Sequence, residues 1–408
     1  MESLWWEHKK LWRCKSTWAA VAMILFYALG AFVAYQWSTF GSTDPQTWGK
    51  YWDGYAHVRE TQREARQWEG PLTEEKFQAM TAHWQQKSRA EQPALKAGKR
   101  TDACDVIDSD FIMRYFSALW PEQEDRSQGE FWLSYLDPAR LTGLYARREK
   151  AVAQFLEAIC PLEQDAAYFQ AMEQRVQKPF SYSWTGGWRY VLVTVMSDLG
   201  LLMGIPLTIA LAPVFAQERR YRMDALQYTA RKGRGSVAAA KTASAFLLGT
   251  ELFLLWALTQ LAIQFSFLGT QGMAMPIQLI KPLATAPLSV WQAELWAYAQ
   301  LFAATLGFTG IMLLLSGLCS SFAAVLLGLA LLFGPVLVSG YLPIAAQKAL
   351  ELLPFVGSTV DTMRTNLYHV FGMVIWSPYA FLAAPPVLGA AAAIPAGLRW
   401  CRRDAAAG

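Results

Sequence analysis

Side chains able to do chemistry are sparse in this chain, and their spacing excludes most reaction classes. No GxxxxGK[ST] loop cradles a phosphate: Gly98-Lys99-Arg100-Thr101 is the nearest approach and lacks the glycine-led turn. GxSxG, HExxH, CxxC and a strand-borne GxGxxG are absent, and no Cys/His cluster has metal-ligand spacing. His8, His57, His83 and His369 are scattered and read as surface or packing residues. Acidic pairs such as Glu74-Glu75 sit where solvated carboxylates are ordinary. The residues that do call for an explanation are ionic: Asp198 and Glu251 inside apolar runs, and Glu218 beside Arg219, Arg220 and Arg222. Such a set holds or couples helices; it does not make or break covalent bonds. The chain reads as a non-enzyme with no cofactor or metal of its own.

The elements that must position these residues follow from composition. Of 408 residues 54% are hydrophobic and 17% charged, against about 25% charged in soluble domains. The deficit is local, because residues 38–189 hold 41 of the chain's 68 charged side chains. Crossing about 30 Å of hydrocarbon takes about 20 apolar residues as helix. Six stretches qualify: 18–37, 190–215, 242–267, 295–318, 322–342 and 379–398. The first is too long for a cleaved signal peptide and lacks an A-x-A site. Only Cys319, Ser320 and Ser321 separate the fourth and fifth, which predicts a tight hairpin. Residues 365–398 carry no charge and exceed one crossing, so Pro378, Pro385, Pro386 and Pro395 are expected to divide them. That places short re-entrant helices over 344–377 before the last span.

Lys and Arg set the orientation. Fourteen lie in residues 1–17, the 216–241 connection and the 399–408 tail, against Lys281, Lys348 and Arg364 in the short loops opposite. Both termini are therefore expected in the cytosol and residues 38–189 outside. Residues 1–17 read as an interfacial helix, with Leu4, Trp5, Leu11 and Trp12 repeating at i and i+7 between basic residues, or as plain flanking anchors. The external segment has helical stripes: Phe77, Met80, Trp84; Phe111, Ile112, Tyr115, Phe116, Leu119; Val152, Phe155, Leu156, Ile159. Its net charge of −3 gives no reason to invoke nucleic acid. The fold class is all-α: six transmembrane helices, with a mainly helical external domain inserted between the first two.

Cys14, Cys319 and Cys401 fall at the reducing face, whereas Cys104 and Cys160 are the two external cysteines. A disulfide or two free thiols fits that pair. Asp198 and Glu251 each lie about nine residues into a span, near the midplane, where a charge costs roughly 2.5–3.5 kcal/mol to insert. Each is expected to face protein or water, either protonated against Ser197, Thr208, Thr250 or Gln260, or beside a translocation path.

The 216–241 connection carries a further pattern. It opens with Leu211-Ala212-Pro213-Val214-Phe215-Ala216-Gln217-Glu218 and closes with Gly233-Arg234 and Ala240-Lys241. With Met223, these residues resemble the cytosolic loop of the membrane subunits of type-2 ATP-binding cassette exporters, especially bacterial members with a large external insertion. Lys178-Pro179-Phe180, Gly187-Trp188, Leu315-Ser316, Pro335 and Leu353-Pro354-Phe355 are similar to that group in the same order. Arg222 departs from it, standing where the family usually has Gly. The resemblance implies a permease subunit in the bacterial plasma membrane. A second permease subunit, identical or a sister chain, would complete the path, and a separate cassette ATPase would use ATP and Mg to drive export. It also implies a short coupling helix ending at Gly233-Arg234, with Glu218 pairing to arginines of either chain. Arg219, Arg220 and Arg222 would meet a partner's acidic patch or anionic lipid headgroups, unless they only anchor the loop. The alternative from another class is a membrane-anchored sensor or accessory protein whose external domain binds a ligand without transport.

Overall fold

The computed structural model describes residues 2–43, 50–52, 54–96, 109–123, 137–160, 162–198, 200–220, 233–357 and 366–402. The described residues are mostly helical, and among them six helices are long and apolar enough to cross a membrane. An amphipathic helix, α1 (Glu2–Trp12), turns at Arg13-Cys14 into the first span, α2 (Lys15–Phe40). Along α2 the residues Ala20, Ile24, Ala28, Phe32 and Tyr35 are buried at helical spacing, while Phe26, Leu29 and Val33 are exposed. That division gives one face to protein and one to lipid.

Between the first and second spans lie α3 (Gly54–Arg66), α4 (Glu74–Lys96), α5 (Ser109–Leu119), α6 (Leu144–Ile159) and α7 (Glu163–Glu173). The first two predicted stripes are core: Phe77, Met80, Trp84, Phe111, Ile112, Tyr115, Phe116 and Leu119 pack into one cluster. Phe77 stacks on Trp120 with ring centroids 5.6 Å apart. The third stripe splits. Val152 and Leu156 join the core shared with the membrane helices, whereas Ile159 is exposed. The connection after the third span lies across this unit: Tyr115 donates its hydroxyl to the Gln278 carbonyl at 3.1 Å, and Arg148 donates to the carbonyls of Pro282 and Ala284 at 2.7 and 2.9 Å.

The second span departs from a uniform helix over 190–215. Widened π-helical turns cover Tyr190–Asp198, a 3₁₀ turn covers Gly200–Met203, and α8 (Gly204–Leu211) leads into α9 (Pro213–Arg220). The apolar crossing helix is Gly200–Glu218. The third, α10 (Gly233–Ile263), begins well before 242, because Ala-rich residues continue the helix past the apolar run. The fourth, α11 (Val290–Leu318), is opened by a capping box between Ser289 and Gln292. Ser320 caps the fifth, α12 (Ser321–Ser339), by accepting from the Ala323 amide, so the expected hairpin turn is tight.

Two corrections concern the last third. Among the described residues of 344–377 there is one short helix, α13 (Ile344–Glu351), and then an antiparallel hairpin of Leu367–Val370 with Met373–Trp376, where the sequence predicts short helices. Phe371 and Gly372 both take positive φ, 50° and 79°, and so form the tight turn whose twist matches paired strands. The prolines do not divide the last span, α14 (Ser377–Arg402), which runs through Pro385, Pro386 and Pro395. Pro378 falls in the first turn, where a missing N–H is harmless. Deeper in the helix, the prolines lie where a close neighbour packs against it. Here the neighbour is α11. A Cβ on Gly310 would lie 2.0 Å from the Gly389 carbonyl oxygen, and one on Gly307 would lie 2.4 Å from that of Pro385. Small residues let the two backbones touch. Gly310→Ala should therefore lower stability by about 1–3 kcal/mol. Gly317→Ala, whose Cβ would meet Ala396 at an ordinary 3.9 Å, should change little. Thermal unfolding of the two variants in one detergent separates them, and equal melting would remove the close-approach argument.

Candidate functional site

The terminal helices meet at one end of the bundle, around the connection between the second and third spans. Pro213 interrupts the second span there, since it has no N–H to give. Ser316 of α11 repairs the break: its Oγ accepts from the amides of Phe215 and Ala216 at 2.9 and 3.2 Å and donates to the Ala212 carbonyl at 2.8 Å. Helix α9 is thereby fixed in direction and carries Glu218 into a buried ion cluster. Lys241, from the third turn of α10, donates to Glu218 at 2.6 Å and to Glu7 of α1 at 2.8 Å. Lys10 of α1 also pairs with Glu218. Glu218 and Lys241 are each 2% exposed and Lys10 is 42% exposed. From the last helix Trp400 covers the pair, its ring 6.0 Å from the Lys241 ammonium and 5.3 Å from the ring of Phe215.

Charges removed from water need compensation, and here two carboxylates meet two ammonium groups. The arrangement joins α1, α9, α10 and α14 through their polar ends. Among the described residues the cluster places no nucleophile and base in reach of one another. Beside it Cys14 lies 3.6 Å from Gln217 Oε1. Burial raises the Cys14 thiol pKa, against the opposing pull of Lys10 and Lys241.

The sequence-predicted residues divide. Glu218 and Lys241 come together, with Lys10 as a further cation on Glu218. Gly233 and Arg234 open α10, and the expected coupling helix before them falls on residues 221–232, outside the described residues. Arg219 and Arg220 end α9 with side chains outside the described residues, and Arg222 lies outside them altogether. Glu251 accepts from the Trp12 indole at 2.8 Å and lies 3.1 Å from His8 Nε2, so α1 supplies its partners in place of Ser197, Thr208, Thr250 or Gln260. Asp198 ends the widened turns of the second span, and its side chain is outside the described residues. Cys160 caps α6 as a buried free thiol, and Cys104 is outside the described residues.

Sequence reasoning missed Glu7, Trp400 and Glu294. Glu294 is buried in α11 and accepts from Gln264 at 3.1 Å. It stood one residue before the expected start of the fourth span. A span limit drawn from the Ser289 cap would have included it. Among the described residues no group of three His, Cys, Asp or Glu side chains is placed to hold a metal ion. No protein-family model, no curated protein and no solved structure matches the chain.

Proposed function

We propose that the chain is the permease subunit of an ATP-binding cassette exporter. It works with a separate cassette ATPase, which uses ATP and Mg, and with a second permease subunit. Alternating access moves a substrate outward across a bacterial plasma membrane, with residues 38–189 outside. The observation that carries this reading is the buried Glu218–Lys241 pair. It ties the end of the second span to the start of the third, on either side of residues 221–232. A partner pressing on that connection acts on two clamped helices at once, and through Glu7 and Trp400 on both terminal helices. The family-like Glu218 and Lys241 are the residues that form the clamp.

The test is biochemical. The purified chain alone should show no ATP turnover above a mock preparation, and turnover should appear when the cassette ATPase that co-purifies from native membranes is restored. A cross-linker on Gln227→Cys should capture that ATPase, and one on Ser320→Cys, in the tight turn after Leu318, should capture it poorly. Turnover by the chain alone, or capture from Ser320 but not from Gln227, would overturn the proposal.

A further inference from the structure

At the opposite end of the bundle, helix α3 stands on the last turn of the third span. Gln62 Nε2 donates to the Leu268 carbonyl at 2.7 Å. That carbonyl belongs to the helix end, where acceptors lack an intrahelical donor. Gly269, at φ 78°, turns the chain away at this point. Between the two elements lies a cleft of about 340 Å³ lined by Arg59, Gln62, Arg63, Arg66 and the Phe265–Phe267 turn with Gly269. The three arginines repeat at i, i+4 and i+7 and so share one face of α3. All three are exposed, and none of the lining residues is acidic. Glu64, on the same helix, is engaged with His83 at 3.3 Å.

Arg63 and Arg66, at i and i+3 on that face, bring two neighbouring guanidinium groups to the cleft. Guanidinium forks match the oxygens of a phosphate in geometry as well as charge. The other wall says which phosphate. Phe265 and Phe267 are each 46% exposed on the last turn of an apolar span, and Phe267 packs on Phe32 of the first span at 4.9 Å. Aromatic side chains at a span end mark the level where acyl chains give way to headgroups. The Lys/Arg excess near the chain termini belongs to the other end of the bundle and does not account for this group.

We propose that Arg63 and Arg66, beside Arg59, bind the phosphate headgroup of an anionic membrane lipid, whose chains descend past Phe265 and Phe267. The site requires only that the bundle spans a membrane, and it is independent of the transport reading. Native mass spectrometry of the full chain in a neutral detergent tests it, with dioleoyl phosphatidylglycerol, dioleoylglycerol and inorganic phosphate titrated separately. Phosphatidylglycerol should be retained, the other two should not, and Arg63→Gln/Arg66→Gln should weaken retention at least about tenfold, with Arg63→Lys/Arg66→Lys intermediate. A photoactivatable phosphatidylglycerol on the unaltered protein should label peptides covering 59–66 and 265–269, which keeps the test open if a variant fails to fold. Equal retention of dioleoylglycerol would reduce the cleft to a greasy surface, and tight binding of phosphate alone would make it a soluble-anion site. Either result, or labelling confined to other peptides, overturns the proposal.

Discussion

Glu218→Ala is expected to lower the stability of the membrane bundle by about 3–5 kcal/mol, because it leaves the Lys241 ammonium buried without its closest countercharge. Lys241 is 2% exposed, and Glu7 would remain as its one carboxylate partner. Lys241→Met should cost as much from the other side. Glu218→Ala/Lys241→Met should cost clearly less than the two singles together, since neither charge is then stranded. Lys10→Ala is the internal control. Lys10 is 42% exposed, so its pair is screened, and removal should cost no more than about 1 kcal/mol. Membrane insertion should survive every change, as none touches a lipid-facing residue. Thermal unfolding in lipid nanodiscs gives the stabilities. If Glu218→Ala unfolds no earlier than Lys10→Ala, the cluster is not the clamp described. The double variant then tests coupling by itself: it restores most of the stability, and under the exporter proposal it still lets ATP hydrolysis run without transport.

The second large effect is expected at Arg148. Its guanidinium is 1% exposed and makes a two-pronged pair with Glu173, while also donating to the carbonyls of Pro282 and Ala284. One side chain thus holds α6 to α7 and both to the connection after the third span. Arg148→Met should cost about 3–5 kcal/mol through the stranded carboxylate and the two abandoned carbonyls. Glu173 keeps Lys178 at 3.2 Å, which softens the loss. The distinctive readout is local: amide exchange over 277–288 should rise in Arg148→Met while exchange in the fourth span holds. Lys at the same position should rescue charge but not the fork, and so recover only part of the protection. Unchanged exchange over 277–288 would show that the connection is held by its apolar contacts instead.

What could be read from the sequence was whatever depends on long apolar runs. Six crossings, the tight turn after Leu318 and the aromatic core around Phe77 and Phe111 all follow from burying consecutive or periodic apolar side chains. Glu218 was conspicuous as one acid among seven bases. Its partners were not legible, because Arg219 and Arg220 follow it directly and residues at i+1 and i+2 do not face residue i on a helix. Lys10 and Lys241 reach it from 208 and 23 positions away, through tertiary packing that no spacing encodes. The prolines of the last span misled for the same reason, since the close approach of Gly307 and Gly310 is a property of the helix pair. The Phe371–Gly372 turn lacks the Asn-Gly or Asp-Gly signature that announces a hairpin.

The third span has a length that matters. From Gly233 through Leu268 it stays helical, with a widened π-helical last turn over Gln264–Leu268, and reaches about 50 Å at about 1.5 Å per residue, well beyond the hydrocarbon of about 30 Å. Lys241 sits in the ion cluster near one end, and the Leu268 carbonyl is pinned to Gln62 at the other. The helix is therefore a lever. A tilt of about 5° about Lys241 would swing Leu268 by roughly 3–4 Å, given ~40 Å of intervening helix. Helix α3 and its arginine face would move with it. The two faces of the membrane are thus geared together through a single rod, and whatever shifts one polar end is felt at the other without any change in the helix itself.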